Sequence, residues 1–243
     1  SSSEACKVGK SVFKGKLQQL NVLSESTIHF GIDIDNSDAL VFLPGQYVNI
    51  NIPNSNETRS YSFSSVPNAK QAEFVVRNIP NGKMSTFLSD IAEIGQDMDF
   101  EGPFGSFYLR PLVRPTLFLA GGTGIAPFLS MLKSLEVSGA HHPVRMVYGV
   151  TNDFDLIEVQ KLEEVKQNHP WFDYRTCVAT EDSQHERKGY VTGHVDNEWL
   201  NDGDVDVYLC GPLGMVDAVS NWLDSSNLKP SNFYYEKFTP SEQ

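Results

Sequence analysis

Thr116-Leu117-Phe118-Leu119-Ala120-Gly121-Gly122-Thr123-Gly124-Ile125-Ala126-Pro127 decides how this chain is read. A continuous apolar run marks a strand buried on both faces. The glycines end it, and a helical pattern opens directly behind them. Glycine lets backbone approach a phosphate closely, and the first turn of a helix offers unpaired N–H groups at the positive end of its dipole. Pro127 suits that turn, where its missing N–H costs little. The third glycine of the usual dinucleotide turn is replaced by Pro127. Taken alone, the stretch is either a nucleotide turn or a tight strand-to-helix connection.

Working outward, Val144–Val150 and residues 205–210 are similar apolar runs, and residues 126–135, 156–165 and 215–223 carry helical spacing. Strand and helix alternating in order imply a parallel sheet with right-handed crossovers. Cys210-Gly211-Pro212-Leu213-Gly214-Met215 again ends a strand and opens a helix. In a parallel sheet both turns lie at the carboxyl edge, where ligands bind. A lone buried cysteine there is either packing or part of that site.

Before residue 111 the rhythm changes. Ile28, Phe30, Ile32 and Ile34 alternate strictly, Val48, Ile50 and Ile52 repeat the pattern, and Phe74 to Val76 and Met98 to Phe100 continue it. Alternation describes antiparallel strands with one wet face, and short strands at this spacing point to a small closed barrel. One helix interrupts them, with Ser85 read as its N-cap and Phe87, Leu88 and Ile91 at helical spacing. In Arg59-Ser60-Tyr61-Ser62-Phe63-Ser64, strand geometry sets Arg59, Tyr61 and Phe63 on one side and the serines on the other. A cation, a flat aromatic and small hydroxyls could hold a planar ring with a phosphate tail. The same pattern also describes an amphipathic strand with a surface arginine.

The net charge of −12 speaks against nucleic acid, whose phosphates it would repel. No apolar run reaches the length of a membrane span, and no leader pattern opens the chain. Cys6, Cys177 and Cys210 have neither disulfide-framework nor C-x-x-C spacing, which points to a reducing compartment. The histidines show no metal spacing, so no metal site is expected.

Arg59-x-Tyr61-Ser62, Gly82-Lys83-Met84-Ser85, Gly121 to Pro127 and Cys210-Gly211-Pro212 together resemble the ferredoxin–NAD(P)H reductase family in order and separation. Within it, Gly149-Val150-Thr151-Asn152-Asp153 and Tyr235-Glu236-Lys237-Phe238 are similar to reductase components of aromatic-ring dioxygenases of the benzoate kind. The resemblance implies an antiparallel Greek-key β-barrel holding flavin (residues 10–110), followed by a ferredoxin-reductase-like α/β domain with a parallel sheet holding NAD (residues 111–243). It implies hydride transfer from NADH to FAD, then single-electron delivery to a [2Fe–2S] centre that feeds an oxygenase.

Residues 1–9 read as a linker remnant, because the chain starts Ser1-Ser2-Ser3 without methionine. A ferredoxin domain carrying the cluster is expected upstream, since the cysteines here lack cluster spacing. By the same resemblance, Arg59 neutralises the flavin diphosphate, with Gly82, Lys83, Met84 and Ser85 as its second holding point. Tyr61 lies against the isoalloxazine, Ser62 bonds to N5 with Ser60 beside it, and Phe238 covers the ring. Gly122, Thr123, Gly124, Pro127, Gly211 and Pro212 receive NAD, Cys210 sits near nicotinamide C4, and Glu236 lies near Ser62 and Cys210. The bland reading of the last segment is an edge strand with Tyr234, Glu236 and Phe238 on one face. Asp153 is expected to accept from ribose hydroxyls, and acidic Thr180-Glu181-Asp182 at a strand end favours NADH, against which Arg187 and Lys188 weigh. A stand-alone cytoplasmic flavin or cytochrome reductase and a non-catalytic redox-sensing module are the alternatives.

Overall fold

The computed structural model describes residues 11–238. Cys6, the linker reading for residues 1–9 and the tail 239–243 lie outside the described residues. Contacts divide the chain into two units. Of the described residues, one runs to Leu109 and takes in Leu129–Ser134; the other comprises Arg110–Phe128 and residues 135–238.

The first unit is a six-stranded antiparallel sheet: β1 (Ser11–Ser24), β2 (Thr27–Ile34), β3 (Tyr47–Asn51), β4 (Thr58–Ser62), β5 (Gln71–Arg77) and β6 (Asp97–Phe104). The order is β4-β3-β6-β1-β2-β5. Its two ends meet, because Ser64 N–H donates to the Glu73 carbonyl at 2.9 Å and Glu73 N–H to Ser65 Oγ at 3.0 Å. The sheet therefore closes into the expected barrel and leaves no bare edge there. The longest strand, β1, has no counterpart in the sequence reading, although Phe13, Gly15 and Leu17 do turn inward between exposed lysines. Glycine at the middle inward position hides that alternation.

Aromatic side chains fill the barrel. Phe30, Phe63, Phe74 and Phe100 are fully buried, with Phe74 5.3 Å from Phe30 and 5.4 Å from Phe63 between ring centroids. Each such burial stabilises the fold by roughly 1.5–3 kcal/mol.

The helix after β5 differs from expectation. α1 spans Lys83–Thr86 with Gly82 as N-cap and continues as a wider turn over Phe87–Ile91. Ser85 is not the N-cap: it lies inside the helix, where its hydroxyl accepts from Ile79 N–H (2.9 Å) and donates to the Arg77 carbonyl (3.1 Å). It ties the helix to the end of β5. Ile91 stays exposed.

The second unit is a parallel sheet of β7 (Thr116–Gly121), β8 (Val144–Val150), β9 (Phe172–Val178), β10 (Asp206–Pro212) and β11 (Asn232–Phe238), in the order β11-β10-β7-β8-β9. Every residue of β7 is buried, as its unbroken apolar run requires. Helices α2 (Ile125–Ser138), α3 (Val159–Asn168) and α4 (Leu213–Ser225) follow β7, β8 and β10.

Two boundaries move. The helix expected from residue 156 starts only at Val159, because Ile157 N–H donates to the buried Tyr148 hydroxyl and Glu158 adopts φ +58°. β9 ends at Val178, so Thr180 to Asp182 form a turn beyond the strand. Among the described residues no helix is long and apolar enough to cross a membrane.

Candidate active site

In the first unit the site residues gather on β4 and α1. Register pairs Tyr61 with Val48 and Arg59 with Ile50, whereas Ser60 faces Asn49 and donates to its Oδ1 at 2.6 Å. The expected alternation holds only to Ser62, where β4 ends. Phe63 stacks on Phe42 at 3.7 Å, and Ser62 and Ser64 are buried rather than wet, so both faces of this segment are covered.

Tyr61 meets Phe30 edge-on at 6.1 Å. Burial pushes its phenol well above the ordinary range, opposed only weakly by the Arg59 charge, so it stays a neutral donor. Its hydroxyl and the Ser62 hydroxyl are both buried and have no hydrogen-bond partner among the described residues. Each such orphan costs about 1–3 kcal/mol. Two adjacent orphans are the mark of a site finished by a group from outside the chain, and the ring heteroatoms and ribityl hydroxyls of FAD supply suitable partners. The residues present fit that cofactor.

Arg59 and Lys83 come together on one carboxylate that the sequence reading passed over. Arg59 Nη2 lies 3.2 Å from Glu57 Oε2 and Lys83 Nζ 2.5 Å from Glu57 Oε1. Nothing in the motif spacing points to Glu57, since a strand and a helix more than twenty residues apart must meet to show it. Around Lys83, the amides of Lys83, Met84 and Ser85 precede the first helical bond, Thr86 N–H to the Gly82 carbonyl. Met84 is buried, and the Ser85 hydroxyl is committed to backbone as described.

In the second unit three segments converge at the carboxyl edge of the sheet. Register sets Cys210 beside Ala120 on one side and Glu236 on the other, and Pro212 beside Phe238. Gly124 packs so closely on β10 that a Cβ there would lie 2.2 Å from the Cys210 carbonyl oxygen. Gly122 differs: it adopts φ +55°, with open space where a Cβ would point. Thr123 is half-buried, and Pro127 is buried in the first turn of α2, where no N–H is missed.

Burial, and behind it the Glu236 charge, raises the Cys210 thiol well above its ordinary range. It is a neutral group that shapes the site, not a thiolate nucleophile. Glu236 and Phe238 sit on the edge strand β11, as the blander reading had it.

Asp153 follows β8 and accepts from Ser183 Oγ at 2.6 Å, a contact that sequence spacing did not reveal. The two cations that weighed toward NADPH are engaged: Arg187 pairs with Glu186 at 3.0 Å, and Lys188 Nζ donates to the Glu181 carbonyl at 2.9 Å. No group of His, Cys, Asp or Glu able to hold a metal occurs among the described residues.

A barrel with paired orphan hydroxyls and a parallel sheet with two glycine turns at one edge define a flavin- and pyridine-nucleotide-binding oxidoreductase. Residues 14–108 match the oxidoreductase FAD-binding domain and residues 118–221 the oxidoreductase NAD-binding domain. The toluate 1,2-dioxygenase electron transfer component of Pseudomonas putida is 46% identical over 240 residues, which cover 99% of this chain and 71% of that protein. The 2-halobenzoate 1,2-dioxygenase electron transfer component of Burkholderia cepacia is 48% identical over 242 residues, with the same coverage. A cytochrome P450 reductase from Amycolatopsis superposes with a TM-score of 0.84 at 26% identity, over 96% of this chain and 71% of that one. The ferredoxin–NADP+ reductase of Plasmodium falciparum, 21% identical, shares the fold at 0.79, over 93% of this chain and 96% of that one. The chain belongs to the family of reductase components that carry electrons from NADH to FAD in dioxygenase systems.

Proposed function

We propose that this chain oxidises NADH in the cytoplasm and passes the electrons singly, through FAD, to a [2Fe–2S] centre that serves an aromatic-ring dioxygenase. The observation that carries the reading is the adjacent pair of buried, unpartnered hydroxyls on Tyr61 and Ser62, next to Arg59. FAD, when bound, supplies the step from two-electron to one-electron transfer. The protein supplies placement and dryness.

Ser62 would hydrogen-bond the flavin ring and hold it in register. Tyr61, with Ser60 fixed on Asn49 behind the same strand, keeps water from the ring. Arg59 and Lys83, with the amides of Lys83, Met84 and Ser85 behind Gly82, neutralise the diphosphate. Phe238, at the end of β11, would offer an aromatic face to the cofactors.

Gly122, Thr123, Gly124 and Pro127 receive the NADH backbone with Gly211 and Pro212. Cys210, uncharged, bounds the nicotinamide on one side, and Glu236 orients beside it. Asp153, steadied by Ser183, accepts from the ribose hydroxyls. Glu181, Asp182 and Glu186 outnumber Arg187 and Lys188 in this turn, and Arg187 pairs with Glu186, so a 2′-phosphate is disfavoured here, which supports NADH.

Anaerobic mixing with NADH should bleach the flavin absorbance of the purified protein, and NADPH should do so at least tenfold less efficiently. A protein that neither retains nor takes up flavin would contradict the reading. Ferricyanide turnover separates it from a non-catalytic sensor.

A further inference from the structure

Glu57 lies outside every motif, yet it is the residue that gathers the two cations of the flavin site. Its two carboxylate oxygens are divided between them: Oε1 to Lys83 Nζ at 2.5 Å and Oε2 to Arg59 Nη2 at 3.2 Å. Arg59 is further steadied by donating Nη1 to the Thr58 carbonyl at 2.9 Å. The bridge joins β4 to α1, elements separated by the whole of β5. The Lys83 ammonium, aided by Arg59, holds the Glu57 carboxyl below its usual range, so the bridge is charged at neutral pH.

Directly beside it opens a cavity of about 460 Å³, lined by Ile52, Pro53, Asn54, Asn81, Lys83 and Phe87 among others. Lys83 belongs to both the bridge and the cavity wall. A phosphate group entering here meets Lys83 first, and behind it a bridge of two cations on one carboxylate that keeps a net charge of +1.

We propose that Glu57 is a built-in stand-in for the flavin diphosphate: its carboxylate holds Arg59 and Lys83 in place until the diphosphate displaces it. Flavin binding is then an exchange of anions. Glu57 supplies one negative charge where the dinucleotide brings two, so exchange is favourable but weaker than binding to free cations. Without Glu57 the flavin-free chain keeps two uncompensated positive charges, and diphosphate binding gains. The pairs are exposed, with Lys83 and Glu57 side chains at 59% and 41% accessibility, so the gain is modest.

The idea rests on the flavin reading given above, and its test separates the two. Flavin-depleted wild-type and Glu57→Gln chains are titrated with FAD, FMN and riboflavin by flavin fluorescence, at several salt concentrations. Glu57→Gln should bind FAD about three- to tenfold more tightly and with a steeper salt dependence. FMN, whose phosphate monoester also carries close to two negative charges, should gain comparably, and riboflavin, with none, should be bound equally by both chains. Equal FAD affinities with equal salt slopes, weaker FAD binding by Glu57→Gln, or an equal gain for riboflavin would each overturn the stand-in role while leaving the flavin site intact. If wild type takes up no FAD at any salt concentration, the flavin reading fails and this inference with it.

Discussion

Gly124→Ala probes the geometry on which the nucleotide site depends. At this position an added Cβ would lie 2.2 Å from the Cys210 carbonyl oxygen, 2.7 Å from its carbon and 3.1 Å from Gly211 Cα. All three are backbone atoms, so no side-chain rotation relieves the overlap; α2 and the end of β10 must part. Overpacking of this kind costs about 3 kcal/mol. For a chain of this size that lowers the melting temperature by about 6–12 °C. Because the displaced atoms belong to Cys210 and Gly211, kcat/KM for NADH should fall at least tenfold while flavin retention is unchanged. Gly122→Ala is the control. Nothing lies within 4 Å of its added Cβ, and only the φ of +55° opposes the change, a penalty of about 1–2 kcal/mol. Thermal melts and steady-state NADH oxidation on the two variants decide the matter. If Gly124→Ala melted with wild type and turned over NADH normally, the close approach of the two turns would be refuted.

Three further perturbations follow from the same geometry. Ser62→Ala removes a buried hydroxyl that has no partner, so the flavin-free chain should be as stable as wild type or up to about 1 kcal/mol more so, while stopped-flow flavin reduction by NADH slows at least tenfold. Loss of stability without slower reduction would reverse its assigned role. Arg59→Ala should weaken FAD by about 1.5–3 kcal/mol, read as loss of yellow colour on gel filtration, with the folded fraction unchanged. Burial pushes the Cys177 thiol up to about 11 and raises the Cys210 thiol as well, away from the ordinary thiol of the unfolded chain. The folded state therefore binds more protons once unfolded thiols ionise, so stability is full below about pH 8.5 and declines from there through about pH 11. A melting temperature that rose over that range would contradict the burial of both thiols.

Local order was legible wherever one residue type dominates a short stretch. The unbroken apolar run at Thr116–Gly121, its glycines and Pro127 specify a buried strand feeding a helix with no outside help, because backbone freedom and hydration are local properties. The alternation at Thr27–Ile34 specifies a strand for the same reason, but not its burial: Thr27, His29 and Gly31 on the expected wet face are buried too, and only Asp33 is exposed. The candidate site could be named from spaced motifs and resemblance, since each motif is itself contiguous.

Whatever depends on a partner distant in the chain had to wait for the tertiary structure. Ser85 has every mark of an N-cap, yet the carbonyl of Arg77 and the amide of Ile79 compete for its hydroxyl and win by position. The helix expected from residue 156 starts late because the Tyr148 hydroxyl captures the amide of Ile157. Glu57 meets Lys83, and Cys210 meets both Gly124 and Glu236, only once strands have paired in a particular register. A chain's own composition determines which groups avoid water and which turns are affordable. Which hydroxyl is left without a partner, and which carboxylate sits between two cations, is decided by packing, because those are relations between residues that sequence separation does not encode.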